Sequence, residues 1–328
     1  MTDRTKTVFL PPRDLAAPIA SPGDTRRLAV PSPEQRGRYA FAYWPAALRS
    51  VLTPHRLNPD AARWTYAARF QPRPGDHERW CDAFGLDAQA AGGAPFLFSQ
   101  ATGTLLYLRL FADLGLNLRH LLHLRHRATH NAAAASQGPG AHTVSARVAA
   151  VQGLGASKAV VQVACTVSDD DGRALLHVQD DFIIRGYRPG QLEALAQHPA
   201  PPFEALRRPK PRWAAGTAPW HTLIDVAPDL SRRYGALSGD AHPVHTLPWA
   251  ARMFGHAEPF LQGLAARTLI VGQLAQAGVC VDQLDLHLCR PVPCGARLGL
   301  SHDGQRFELS DAPGARLYAC GRFEAPVR

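Results

Sequence analysis

Residues 260–277, Phe260-Leu261-Gln262-Gly263-Leu264-Ala265-Ala266-Arg267-Thr268-Leu269-Ile270-Val271-Gly272-Gln273-Leu274-Ala275-Gln276-Ala277, form the longest helical pattern in the chain. The stretch is rich in Leu and Ala, and Gly278 stops it. Strand-like segments follow at 282–289, 296–301, 305–309 and 315–323, separated by turns that carry Pro293-Cys294-Gly295, Asp303-Gly304 and Pro313-Gly314. A single long helix followed by a run of antiparallel strands is an α+β pattern, in which a sheet wraps the helix and both bury their apolar faces.

Working outward, the same order occurs earlier. A helical segment at 99–114 precedes strands at 121–130, 142–151, 157–167 and 174–184, with Asp171-Gly172 as a hairpin turn. The run Lys158-Ala159-Val160-Val161-Gln162-Val163-Ala164-Cys165 is among the clearest strands in the chain. Twofold occurrence of one order implies duplication of one fold. A chain of 328 residues is long enough for two such domains. Between them, 189–219 is punctuated by Pro189-Gly190, Pro199, Pro201-Pro202, Pro209, Pro211 and Pro219, and is expected to be a linker. The expected organisation is a tail at 1–25, an N-terminal domain at 26–188, the linker, and a C-terminal domain at 220–328.

Composition narrows the function classes. With 46% hydrophobic and 19% charged residues the chain is globular, and no apolar run approaches the roughly 18 residues of a membrane span. The apolar run near the N-terminus, Val8-Phe9-Leu10 before Pro11-Pro12, is too short for a signal peptide, so a cytoplasmic location is expected. Net charge is +9, spread along the chain without a nucleic-acid reader motif; it suits acidic partners such as phosphorylated cofactors or an acyl carrier protein. The six cysteines are scattered and expected to be reduced. His120, His123, His126 and His130 lie close together in sequence, but the segment alternates apolar and polar. It is expected to be a strand with its polar side exposed and no acidic partner nearby, so no metal is expected. Gly153-Leu154-Gly155 lacks the third glycine and helix of a dinucleotide loop, so no cofactor is expected either.

The chemistry-bearing segment precedes the long helix: Tyr234-Gly235-Ala236-Leu237-Ser238-Gly239-Asp240-Ala241-His242-Pro243-Val244-His245. Acid–base chemistry on a held water needs a group that accepts one proton and a group that supplies another. A carboxylate and an imidazole flanking one water can share that work. Asp240 and His245 can turn inward from one loop, stiffened by Pro243 and permitted a tight turn by Gly239. Alone, Ser-Gly-Asp is ordinary turn composition and a single histidine is ordinarily structural. It is the joint spacing with Ser238, Gly239 and Pro243 that favours a catalytic pair.

This segment resembles the signature of the MaoC-like, (R)-specific enoyl-CoA hydratases: Tyr, small residues, Ser-Gly-Asp, any residue, Asn-Pro, aliphatic, His. Ala250-Ala251-Arg252-Met253-Phe254-Gly255 and Phe260-Leu261-Gln262-Gly263-Leu264 resemble the family's following loop and helix start. The N-terminal half, through Cys81-Asp82-Ala83-Phe84-Gly85-Leu86 and Pro95-Phe96-Leu97, more loosely resembles the degenerate first domain of fused double-hotdog members. The resemblance implies an α+β double hotdog that hydrates trans-2-enoyl thioesters or dehydrates (R)-3-hydroxyacyl thioesters, borne on CoA or acyl carrier protein. It implies catalysis by Asp240 and His245, an oxyanion donor at the backbone N–H of Gly263, and loop support from Ser238, Gly239, His242 and Pro243. A glycine early in a helix equally permits close packing, and both readings of Gly263 stay open. Two positions depart from the pattern: His242 replaces the usual Asn, and Gln262 the usual His. The N-terminal half has no Asp-to-His loop before its helix; Leu105, Leu106 and Tyr107 there are expected to line an acyl tunnel. Association into a homodimer of double hotdogs fits the resemblance. A hotdog thioesterase and a non-catalytic acyl-thioester binder are the competing readings.

Overall fold

The computed structural model describes residues 25–27, 57–72, 74–88, 103–118, 121–131, 140–154, 157–186, 213, 217–312 and 314–325. The expected tail and the linker lie almost wholly outside these residues. The strands are β1 (Thr25–Arg27), β2 (Thr65–Phe70), β3 (Leu121–His130), β4 (His142–Gly153), β5 (Lys158–Ser168), β6 (Ala174–Arg185), β7 (Trp220–Asp225), β8 (Gln283–Leu288), β9 (Arg297–His302), β10 (Arg306–Asp311) and β11 (Leu317–Glu324). The helices are α1 (Asp76–Phe84), α2 (Thr104–Asp113), α3 (Leu230–Ser238), α4 (Pro243–Thr246), α5 (Pro248–Met253) and α6 (Gly263–Gln276).

All strands join one sheet in the order β1-β2-β4-β5-β6-β3-β8-β11-β10-β9-β7. Read outward from the centre, the N-terminal side runs β3, β6, β5, β4, β2 and the C-terminal side β8, β11, β10, β9, β7. Each side places the strand after its helix innermost and the strand before its helix fifth, with the short β1 added beyond β2 on the N-terminal side. The duplication inferred from sequence rhythm is thus present as a pseudo-twofold in the strand order. The halves meet where β3 and β8 pair antiparallel, Arg125 opposite His287 through Thr129 opposite Gln283.

Alternation of burial along β4 and β5 reflects one face turned to the core. Helix α6 is different: Leu264 to Gly272 are all buried, because the helix is apolar nearly all round and is enclosed on every side. Fully burying each of Leu264, Leu269, Ile270 and Leu274 contributes about 1.5–3 kcal/mol. Gly272 admits the N-terminal half closely, since a Cβ there would lie 2.3 Å from Leu86 Cδ1. Trp80 and Phe84 of α1 pack on Tyr234 of α3, with ring centroids 5.4 and 6.1 Å away. The two halves therefore share a core as well as a sheet.

One strand corrects its sequence reading. Strand β3 does not expose its polar side: His126 is completely buried, and β3 is hydrogen-bonded on both edges. As the central strand at the seam it has no free edge, and its polar residues meet partners from other strands. Arg125 pairs with Asp285 of β8 at 2.5 Å, and Arg127 with Asp181 of β6 at 3.3 Å. Asp180 of β6, the acidic partner expected to be missing, pairs with His123 and His126. Among the described residues no helix is long and apolar enough to cross a membrane.

Candidate active site

Helix α3 ends at Gly239, which adopts φ +83° and donates its N–H to Gly235 O at 2.8 Å. Only a small residue fits at 235, where a Cβ would meet Asp240 O at 3.0 Å and Ala241 Cα at 3.2 Å. The buried Ser238 hydroxyl donates to Tyr234 O at 2.8 Å and accepts the Asp240 N–H at 3.1 Å, fixing the chain as it leaves the helix. His242 then caps α4: its Nδ1 accepts the Val244 N–H at 3.3 Å, and Pro243 begins the helix with φ already set. An imidazole at 242 thus fills an N-cap role that an Asn side chain can also fill, so the first departure from the family pattern keeps the loop's support.

His245 follows within the single turn of α4. Its Nδ1 lies 2.9 Å from Phe260 O. A carbonyl can only accept, so Nδ1 carries the proton in that bond. Nε2 has no hydrogen-bond partner among the described residues and presents its lone pair in the neutral ring. The ring edge packs on Phe260, with centroids 4.7 Å apart. Ser231 Oγ donates to the backbone carbonyl of His245.

Gln262, the second departure, caps α6 from a buried position. Its amide nitrogen donates to Ser231 O at 3.1 Å and to Asp240 O at 2.9 Å. Both partners are acceptors, so a primary amide, with two N–H groups on one nitrogen, serves both at once. Gln262 therefore ties α3, the Asp240 loop and the start of α6 together.

The electrostatics favour proton traffic. Asp240 and His245 are each only partly exposed. Burial raises the carboxyl of Asp240 above its ordinary range, and the charge and backbone N–H of His242 and the charge of His123 oppose this. Burial pushes His245 down to about 4, against the Phe260 carbonyl, while His256 lowers it further. His242 is likewise pushed down to about 4 by burial and by His245, with Asp240 opposing. Near neutrality both rings are uncharged.

Gly263 opens α6. A Cβ there would stand 2.4 Å from His123 Nδ1 and 2.9 Å from Leu288 Cδ1, so close packing does require glycine. The first N–H groups of a helix lack intrahelical partners, so the same residue can also offer a donor. The two sequence readings of Gly263 are compatible.

His123 brings the N-terminal half to this point, which the sequence reading missed. Its Nε2 lies 2.9 Å from Asp180 Oδ1 and 3.2 Å from Arg125 O. His126 Nδ1 lies 2.6 Å from the same carboxylate oxygen, and Tyr107 donates its hydroxyl to the other at 2.7 Å. Residues three apart on a regular strand face opposite sides; the register shift between His123 and Arg125 lets both histidines reach one carboxylate. These contacts hold Asp180 far below the ordinary carboxylate range despite burial. The ligand atoms of His123, His126 and Asp180 lie within 4.8 Å of one another, a set able to hold a metal. Both ring nitrogens, however, stand at hydrogen-bond distance from one oxygen, and buried Arg267 adds positive charge beside them. A signal was legible: Asp180-Asp181 interrupts an apolar strand, and buried carboxylates need partners.

Of the expected tunnel residues, Leu106 and Tyr107 are buried on α2 with 3% exposure each. Leu105 lies on the same helix, and its side chain is outside the described residues.

No family model matches the chain. A curated relative, 3-hydroxyacyl-thioester dehydratase X of Mycobacterium tuberculosis, is 26% identical over 110 residues. That match spans 34% of this chain and only 36% of the relative. The solved structure of HtdX from the same organism aligns with TM-score 0.58 and 17% identity, over 80% of this chain and all of that one. A MaoC-like dehydratase from Phytophthora capsici aligns with TM-score 0.60 and 14% identity, over 85% of this chain and 97% of the other. Full-length peroxisomal multifunctional enzyme type 2 of Drosophila melanogaster aligns with TM-score 0.55 and 20% identity, over 79% and 48% respectively. With its two mirrored strand sets and enclosed central helix, the chain has the double-hotdog fold of the MaoC-like dehydratases.

Proposed function

We propose that the chain catalyses reversible hydration of trans-2-enoyl thioesters to (R)-3-hydroxyacyl thioesters, carried on CoA or acyl carrier protein. The observation that carries this reading is the state of His245, which shares one loop with Asp240. Its Nδ1–H is committed to Phe260 O, and Nε2 is left as a neutral lone pair on the loop that also bears a carboxyl raised by burial. The relative named as a 3-hydroxyacyl-thioester dehydratase supports the same chemistry.

Hydration then runs as follows. The water oxygen bonds C3 while one of its protons passes to the Asp240–His245 pair. The C2=C3 electron pair moves onto the thioester oxygen, beside the N–H of Gly263. Protonation of C2 from the pair reforms the carbonyl, and dehydration is the reverse. Leu105, Leu106 and Tyr107 are the proposed acyl-facing surface; because Leu106 and Tyr107 are buried, an acyl chain reaching them needs side-chain repacking. A thioesterase would need a base at the start of α6, whereas the Gln262 amide is committed to two backbone carbonyls.

The test is loss of crotonyl-CoA enoyl absorbance on adding protein. Asp240→Asn and His245→Ala should each lower the rate about 10²–10⁴-fold with unchanged circular dichroism. Release of free thiol would point to hydrolysis instead, and rates near wild type in both variants would remove the pair from the chemistry.

A further inference from the structure

Gln262 joins the parts of the site through backbone groups. Its side chain is buried, and its amide nitrogen donates to Ser231 O at 3.1 Å and to Asp240 O at 2.9 Å. The second bond fixes the peptide that follows the Cα of Asp240. The first leads to His245, because the Ser231 hydroxyl donates to the backbone carbonyl of His245. Two further groups lie beside Gln262 in the chain. Phe260 supplies the carbonyl that stands 2.9 Å from His245 Nδ1. Gly263, the next residue, opens α6, and the carbonyl of Gln262 itself accepts the Ala266 N–H at 3.0 Å as the helix begins.

The bonding is one-sided. Gln262 Oε1 is buried and has no hydrogen-bond partner among the described residues, whereas the nitrogen serves two carbonyls. Among these residues, position 262 therefore draws on two donors and on no acceptor. A primary amide presents both donors on one atom, a protonated carboxyl presents one, and an ionised carboxyl presents none. A buried acceptor left unmade costs stability, so packing alone does not explain an amide at this point.

Building on the hydratase reading, we propose that Gln262 is a positioning residue that holds three working groups in register: the Asp240 carboxyl, the His245 ring and the N–H of Gly263. It touches no reacting atom in this role. Its side chain is bonded to the Asp240 loop and to α3 behind His245, and its own backbone begins α6, so its loss lets all three shift. A catalytic group displaced by about 1 Å can cost on the order of 10²-fold in rate. The loss falls on kcat, because the amide bonds the protein's own backbone and leaves the acyl and carrier contacts in place.

Two near-isosteric substitutions vary the number of donors at similar volume. Gln262→Met has none, and Gln262→Glu has one at pH 6, where a buried carboxyl keeps its proton. In variants shown to be folded by circular dichroism, kcat for crotonyl-CoA at pH 6 should fall in the order wild type, Glu, Met. The Met variant should be down about 10²-fold, with KM little changed. A role in packing alone predicts the Met variant to be the faster of the two, because methionine fills the volume without burying a polar group. A folded Met variant with wild-type kcat, a Glu variant no faster than Met, or a loss confined to KM overturns the proposal while the wild type remains a hydratase. Failure of both variants to fold assigns Gln262 to stability and overturns it as well. A wild type that does not hydrate crotonyl-CoA overturns the hydratase reading, and this one with it.

Discussion

Replacing Gly263 by alanine should damage both stability and turnover. The new methyl would stand 2.4 Å from His123 Nδ1 and 2.9 Å from Leu288 Cδ1. Non-bonded heavy atoms settle near 3.5 Å, so ring and helix must separate by about 1 Å. His123 cannot simply turn away, because it is held by Asp180 at 2.9 Å and by the stack on Phe182. The helix cannot retreat either, because its far side is enclosed and Gly272 is pressed by Leu86. Overpacking of this kind costs about 1–3 kcal/mol. Misplacing a catalytic group by about 1 Å can cost on the order of 10²-fold in rate. Gly153→Ala is the control, since a Cβ there meets nothing within 4 Å and should be tolerated. Urea melts of both variants give the stability difference, and crotonyl-CoA absorbance gives the rate. A Gly263→Ala protein as stable and as active as Gly153→Ala would refute the close approach of the two halves and the importance of this point to the chemistry.

Two further outcomes are expected. His245 and His242 are pushed down to about 4 in the folded chain, against an ordinary value of 6.5. Between those values the unfolded chain binds more protons, so stability should rise with pH across that window and be lost as pH falls from 6.5 to 4. Thermal melts from pH 7.5 downward test this, and His242→Asn, which keeps a cap without a titrating ring, should flatten the dependence; an equally steep curve in that variant would exclude His242 as a contributor. Tyr107→Phe removes a hydroxyl that donates to buried Asp180 at 2.7 Å, so it should cost about 1–3 kcal/mol of stability, measured by urea unfolding.

The sequence alone was sufficient for the repeated unit and for the loop. Hydrophobic periodicity is local, so the long helix at 263–276 and the clear strand at 158–168 could be read from neighbouring residues. The glycine and proline that shape the Asp240 loop act through their own dihedrals, which is why Gly239 and Pro243 could be placed correctly. What the two departures do was not legible. His242 acts on the nearby Val244 N–H, whereas Gln262 works through the carbonyls of Ser231 and Asp240, whose places are set only once α3, the Asp240 loop and α6 converge. The largest misreading, β3 with an exposed polar side, has the same origin. Alternation shows that a strand has two kinds of face, but whether the polar one meets water depends on the strand's place in the sheet. Strand β3 is central because the two halves pair there, joining residues 125–129 to 283–287, far apart in the chain. That pairing buries His126 and brings His123 to Gly263, and only tertiary structure could decide it, because a buried polar group is satisfied by whichever partner the fold supplies.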